Sequence, residues 1–73
     1  MIEAVTNEAV YFWVVRESAE KPVVGRIYIT YHPSIPYEAF DCRRNQSKRV
    51  YSPEEGEMCI LNSKITSPNA HEV

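Results

Sequence analysis

The residue types that most often carry chemistry are few in this chain and widely spaced. The candidate metal ligands are His32, Cys42, Cys59 and His71. No two of them have the CxxC or HxxxH spacing that brings a pair of ligands onto one turn or knuckle. The glycines are also far apart, whereas a phosphate-cradling loop needs several close together. The sequence therefore predicts no metal site and no nucleotide cofactor.

Nucleophilic catalysis requires a serine or cysteine held beside a base, and neither cysteine has a recognisable catalytic motif around it. We therefore expect a protein that is not an enzyme and has no catalytic residues. A pair of cysteines is too few for a secreted disulfide framework. Whether Cys42 and Cys59 form a disulfide or remain reduced core residues stays open at this stage.

Charge is segregated along the second half of the chain. Four of the eight cationic side chains fall within seven residues: Arg43, Arg44, Lys48 and Arg49. Such a cluster can contact phosphates, and it is also typical of a solvated hairpin. An acidic group follows directly: Glu54, Glu55 and Glu57. These carboxylates could imitate phosphates toward a basic groove on a partner, although a solvated turn is the commoner environment for such residues.

Tyr28 is predicted on the polar face of a strand beside Arg26. A tyrosine flanked by arginine is typical of a protein interface anchor or of a platform on which bases stack. A half-buried cross-strand pair is the commoner arrangement. We therefore regard Arg26 and Tyr28, together with the acidic group, as the candidate partner-binding residues.

A chain of 73 residues has room for one core of marginal stability, so a homodimer or a larger protein partner is expected to support it. The net charge of −2 gives no general attraction to nucleic acid or to anionic membranes. No run approaches the roughly 20 apolar residues that cross a bilayer. The N-terminal residues lack the basic start and cleavage site of a secretory signal, which favours the cytoplasm.

Strand patterns dominate the first half of the chain. Residues Ala9–Arg16 are rich in β-branched and aromatic side chains on both faces, which favours a central strand that is covered on both faces. The polar segment Glu17–Pro22 predicts a turn. Residues Val23–Tyr31 then alternate, which predicts an inward face that includes Gly25 and Ile27.

The second half of the chain is more ambiguous. The prolines of residues 32–36 end the strand. Residues Tyr37–Arg44 fit a short helix or a third strand, and the strand is slightly favoured. The remaining predictions are a turn at Asn45–Lys48, a short strand at Arg49–Tyr51, a turn at Ser52–Gly56, a last strand at Glu57–Asn62, and a flexible tail at Ser63–Val73.

These patterns predict one domain over residues 1–73. Its fold would be mainly β, a small curled or barrel-like antiparallel sheet of four to five strands with at most one short helix. The alternative is an α+β fold with a helix on an antiparallel sheet.

The expected function is a non-catalytic inhibitor or adaptor that binds a larger protein or protein complex. We expect the type that mobile elements and phages encode, acting on nucleic-acid-handling machinery. The alternative is a small β-barrel that binds nucleic acid through Arg43, Arg44, Lys48 and Arg49 around Tyr28.

Overall fold

A computed structural model describes residues 1–7, 10–30 and 37–62 of the chain. The described residues form five strands and one helix: β1 (Ile2–Thr6), β2 (Tyr11–Arg16), β3 (Val23–Ile29), β4 (Tyr37–Asp41), β5 (Gln46–Val50) and α1 (Pro53–Leu61). The strands pair with their sequence neighbours in one antiparallel sheet, in the order β1-β2-β3-β4-β5. The sheet is a meander that does not close, so β1 and β5 form its edges within the described residues.

The core lies between α1 and one face of the sheet. Ile27 in β3, Ala39 in β4 and Ile60 in α1 are fully buried there. Two glycines allow the close approach of helix and sheet. A Cβ on Gly25 would lie 2.6 Å from Cδ1 of Ile60 and 2.8 Å from the carbonyl oxygen of Phe40, and a Cβ on Gly56 would lie 2.8 Å from Cδ1 of Ile27. A Cβ at either position would therefore clash with these atoms unless they moved.

The mainly β fold class with one short helix is confirmed for the described residues, and the sheet is open rather than barrel-like. The hairpin of β2 and β3 is also confirmed, with Trp13 opposite Ile27. The strand interpretation of Tyr37–Arg44 is right over residues 37–41. The helix packs on the sheet, which is the feature that the α+β alternative anticipated.

The predicted last strand at Glu57–Asn62 is wrong, because these residues belong to α1 and its C-cap. The predicted turn at Ser52–Gly56 is wrong for the same reason, since the helix begins at Pro53. Ser52 is the N-cap, and its Oγ accepts a hydrogen bond of 3.1 Å from the backbone N–H of Glu55. The letters Ser-Pro-Glu-Glu are a capping signal with proline at the first helical position, and this signal was available in the sequence.

Two further boundaries differ from the sequence prediction. An N-terminal strand, β1, was not predicted, and it pairs with β2 over its whole length. The turn predicted at Asn45–Lys48 is wrong: the chain turns at residues 42–45 and β5 has begun by Gln46. Asn45 supplies the left-handed backbone conformation of this turn, with φ of 56°. Asparagine tolerates that region better than most residues.

Both cysteines are free thiols in the described part of the chain. Cys59 is a buried residue of α1, whereas the Sγ of Cys42 accepts a hydrogen bond of 3.3 Å from Nη1 of Arg26. Arg26 alternates with Gly25 and Ile27, so Cys42 lies on the opposite side of the sheet from Cys59. The predicted break at residues 32–36 and the predicted tail at 63–73 lie outside the described residues.

Candidate interaction surface

The sheet has a second face that α1 does not cover, which we call the open face. Because side chains alternate along a strand, its members follow from the residues that face the helix. They are Glu3 and Val5 of β1, Phe12 and Val14 of β2, Arg26 and Tyr28 of β3, Glu38 and Phe40 of β4, and Ser47 and Arg49 of β5. The open face therefore contains the candidate partner-binding residues Arg26 and Tyr28 and one member of the predicted basic cluster, Arg49.

Aromatic side chains lie at the centre of the open face. Phe12 and Tyr28 are directly opposite each other on β2 and β3, with ring centroids 5.5 Å apart and planes inclined by 31°. Phe40 on β4 is the diagonal neighbour of Tyr28, since Tyr28 is opposite Glu38. All three rings are half-buried. An aromatic surface of this kind on a small protein is typical of an association site.

Charged side chains of both signs surround these rings. Arg26 lies opposite Val14 and Phe40, while Glu38 lies opposite Arg49 on β5. Glu3 adds a further carboxylate on β1. The charges on the open face therefore balance, with guanidinium groups and carboxylates interspersed. A mixed pattern of this kind is complementary to a polar protein surface rather than to a uniform polyanion.

The predicted basic cluster does not share one surface. Arg43 and Arg44 bind the carboxylate of Asp41, which is fully buried at the end of β4. Asp41 Oδ1 accepts from the backbone N–H of Arg43 at 2.9 Å, and Oδ2 accepts from Nη1 of Arg44 at 2.9 Å. Lys48 and Arg49 are both exposed but point to opposite faces, because they are adjacent in β5.

The Asp41 cluster also joins the sheet to the helix. Burial raises the pKa of Asp41, but the hydrogen bonds and charge of Arg43, with the hydrogen bond from Arg44, outweigh it and hold the pKa below its ordinary value of 3.8. Nη2 of Arg43 donates to the carbonyl oxygen of Ile60 at 2.5 Å. The cation thereby satisfies a carbonyl in the last turn of α1, where positive charge is favourable.

The predicted acidic group lies in the first turns of α1, and two of its carboxylates have partners within the fold. Oε1 of Glu55 accepts from the backbone N–H of Tyr51 at 2.9 Å. Oε2 of Glu57 lies 2.7 Å from the amino group of Met1. Glu54 is exposed. The contacts of Glu55 and Glu57 explain these side chains as capping and tethering groups of the helix.

The helix-side face of the sheet also has aromatic residues. Trp13 makes edge-to-face contacts with Tyr11 at 5.0 Å and with Tyr37 at 5.4 Å between ring centroids. Trp13 and Tyr37 are half-buried and pack against the core, and Tyr11 is more exposed. Their mutual packing explains Trp13 as a core residue.

Sequence reasoning missed Phe12 and Phe40 as members of the candidate surface. Both faces of β2 are apolar, so alternation alone could not indicate which face the helix covers. The strand register supplies this information. Val15 lies opposite Gly25, which packs directly against the Ile60 side chain, so Val15 is on the face that the helix covers. Phe12 must then share a face with Tyr28.

The described residues contain no group of three histidine, cysteine or carboxylate side chains that could hold a metal ion. No helix among them is long and apolar enough to cross a membrane. Comparison with protein families, curated proteins and solved structures finds no match to this chain.

Proposed function

We propose that this protein is a non-catalytic interaction module that binds a larger protein through the open face, as an inhibitor or adaptor. The observation that supports it is the ring pair of Phe12 and Tyr28, surrounded by charges of both signs on a face that α1 leaves uncovered. Tyrosine and arginine are over-represented among residues that dominate binding energy. Tyr28 and Arg26 are therefore the anchors, and Arg49 is a rim charge.

The matched pair Arg49→Glu and Lys48→Glu tests this proposal. Both residues are exposed neighbours in β5 and receive the same change of charge, but they lie on opposite faces of the sheet. The protein would be used as bait in a lysate of its native host, with nuclease treatment, and captured proteins would be quantified by mass spectrometry. We expect one protein to be captured stoichiometrically by wild type and Lys48→Glu, and at least about threefold less by Arg49→Glu, since rim charges contribute modestly.

A second variant, Tyr28→Ser, measures how much the proposed anchor Tyr28 contributes to the binding affinity. Truncating an interface aromatic residue costs roughly 2 kcal/mol or more, which is about 30-fold in affinity. Tyr11→Ser is the control, because Tyr11 is an exposed tyrosine on the helix side. Circular dichroism of both variants confirms that the fold is retained. Equal capture of the partner by Tyr28→Ser, Arg49→Glu and wild type would exclude the open face as the binding surface.

The alternative function is binding of single-stranded nucleic acid, and the same ring pair favours it because bases stack on aromatic side chains of open sheets. The position of the cations weakens it, since Arg43 and Arg44 bind Asp41 and Lys48 lies on the other face. Fluorescence titration of labelled single-stranded oligonucleotides at low ionic strength distinguishes the two functions. Phosphate contacts are strongest there, so no binding under these conditions rejects the alternative.

A further inference from the structure

The edge of the sheet at β1 has backbone hydrogen-bonding groups that no strand of the described residues uses. The N–H of Arg16 donates to the carbonyl of Met1 at 2.9 Å, and the N–H of Asn7 donates to that of Val10 at 3.0 Å. Hydrogen-bonded pairs recur at every second residue of an antiparallel ladder. The odd-numbered residues of β1 therefore bond to β2, and the N–H and C=O groups of Ile2, Ala4 and Thr6 point away from the sheet.

We propose that this edge pairs with β1 of a second copy of the chain, in an antiparallel arrangement with Ala4 opposite Ala4 of the second copy. In this register Ile2 lies opposite Thr6 of the second copy, and Thr6 opposite its Ile2. Every outward residue then meets an outward residue, which gives a self-complementary interface of the kind a two-fold dimer requires. The proposal is independent of the partner proposed for the open face.

The charge on β1 selects this register over its neighbours. A register shifted to place Ile2 opposite Ala4 of the second copy would put Glu3 directly opposite Glu3, which is unfavourable. A shift in the other direction places Ala4 opposite Thr6 of the second copy. The outward N–H and C=O groups of Ile2 then have no partner in β1 of the second copy. In the proposed register Glu3 lies opposite Val5, so the two carboxylates are only diagonal neighbours.

The two edges of the sheet differ in how well they resist pairing. Lys48 and Arg49 are exposed on β5, and cationic side chains on an edge are a common protection against association. β1 carries no lysine, arginine or proline. Pairing of β1 with β1 also closes after two copies, whereas pairing of β1 with β5 would continue into a filament. The second copy on β1 therefore produces a discrete dimer.

Cysteine substitution on β1 tests both the dimer and its register. Opposed residues in an antiparallel pair fall within the Cα separation of roughly 4.4–6.8 Å that a disulfide spans, and Ala4 is exposed. We expect Ala4→Cys to form a crosslinked dimer under mild oxidation. Thr6→Cys should not, because two Thr6 positions are about 13 Å apart along the paired strands. A mixture of Ile2→Cys and Thr6→Cys should crosslink again, and wild type controls for Cys42 and Cys59.

Sedimentation equilibrium of Ala4→Pro tests the backbone contribution. Proline removes the outward N–H of Ala4 without removing a bond to β2, a substitution that edge strands accept. Ala4→Ser is the control, since it retains this N–H. We expect wild type and Ala4→Ser to approach the mass of two chains with rising concentration, and Ala4→Pro to remain a monomer. The proposal would be overturned if wild type stayed monomeric at about 1 mM or formed polymers. It would also be overturned if the Ala4→Cys and Thr6→Cys variants crosslinked equally.

Discussion

At the residue scale, the buried carboxylate of Asp41 accounts for the arginines that the sequence groups into a basic cluster. Arg43 and Arg44 approach it from the turn after β4, and Arg43 continues to the last turn of α1. A buried carboxylate is costly unless hydrogen bonds satisfy it, and both oxygens of Asp41 accept them. Arg43 and Arg44 therefore serve the fold, which leaves Lys48 and Arg49 as the members of the cluster that do not bind Asp41.

Asp41→Asn should lower the free energy of unfolding by about 1.5–3 kcal/mol at neutral pH, because it replaces charge-assisted hydrogen bonds with neutral ones. Glu20→Gln makes the same chemical change at an exposed loop position and should have an effect within about 0.5 kcal/mol. Urea unfolding followed by circular dichroism measures both differences.

The lowered pKa of Asp41 also predicts a pH dependence. Its stabilisation is present in full above the ordinary value of 3.8 and is lost as the pH falls through the lower folded-state value. The difference between wild type and Asp41→Asn should be constant from pH 5 to 7 and shrink below 3.8. A difference that widens toward acid pH would contradict the role assigned to this carboxylate.

At the element scale, α1 depends on a local signal at its N-terminus. Ser52 caps the helix and Glu55 reaches back to the backbone of Tyr51. Side-chain hydrogen bonds of this kind stabilise a short helix whose intrinsic stability is low. The helix in turn covers Ile27 and Ala39, so the cap contributes to the core of the whole domain.

Ser52→Ala should lower the free energy of unfolding by about 1 kcal/mol through loss of the cap. Ser18→Ala is the matched control, because Ser18 is exposed in the turn between β2 and β3 and uses only its backbone carbonyl. Thermal unfolding of both variants is the measurement. A 1 kcal/mol loss corresponds to roughly 4–8 °C in a domain of this size, and equal midpoints for the two variants would exclude the cap as a stabilising element.

The sequence predicted β2 well because β-branched and aromatic residues are dense there, and it predicted β3 well because polar and apolar side chains alternate along it. It failed at α1, because Met58–Leu61 is a short apolar run that fits a strand or a buried helix equally. It missed β1, whose pattern has too few apolar residues to stand out before its partner is known. The open face could not be assembled for a related reason: its members come from separate strands, and only the register brings Phe12 opposite Tyr28.

At the scale of the whole molecule, the small core, the open face and the edge of the sheet at β1 are connected. A domain of 73 residues buries too little apolar surface for high stability alone. Two-fold pairing at β1 has its axis perpendicular to the sheet, so the open faces of both copies lie on the same side. The proposed dimer would therefore add backbone hydrogen bonds to a marginal fold and present a doubled open face to a partner.

This arrangement predicts that thermal stability depends on protein concentration. When a folded dimer unfolds to two separate chains, each tenfold rise in protein concentration adds about 0.7 kcal/mol per chain to the free energy of unfolding. This raises the midpoint of thermal unfolding by roughly 3–6 °C. Differential scanning fluorimetry of wild type from about 10 μM to 1 mM should show this rise. Ala4→Pro should have a midpoint that is constant over the same range, and Ala4→Ser should follow wild type. A concentration-independent midpoint for wild type would mean that the domain folds alone, and the doubled open face would then be excluded.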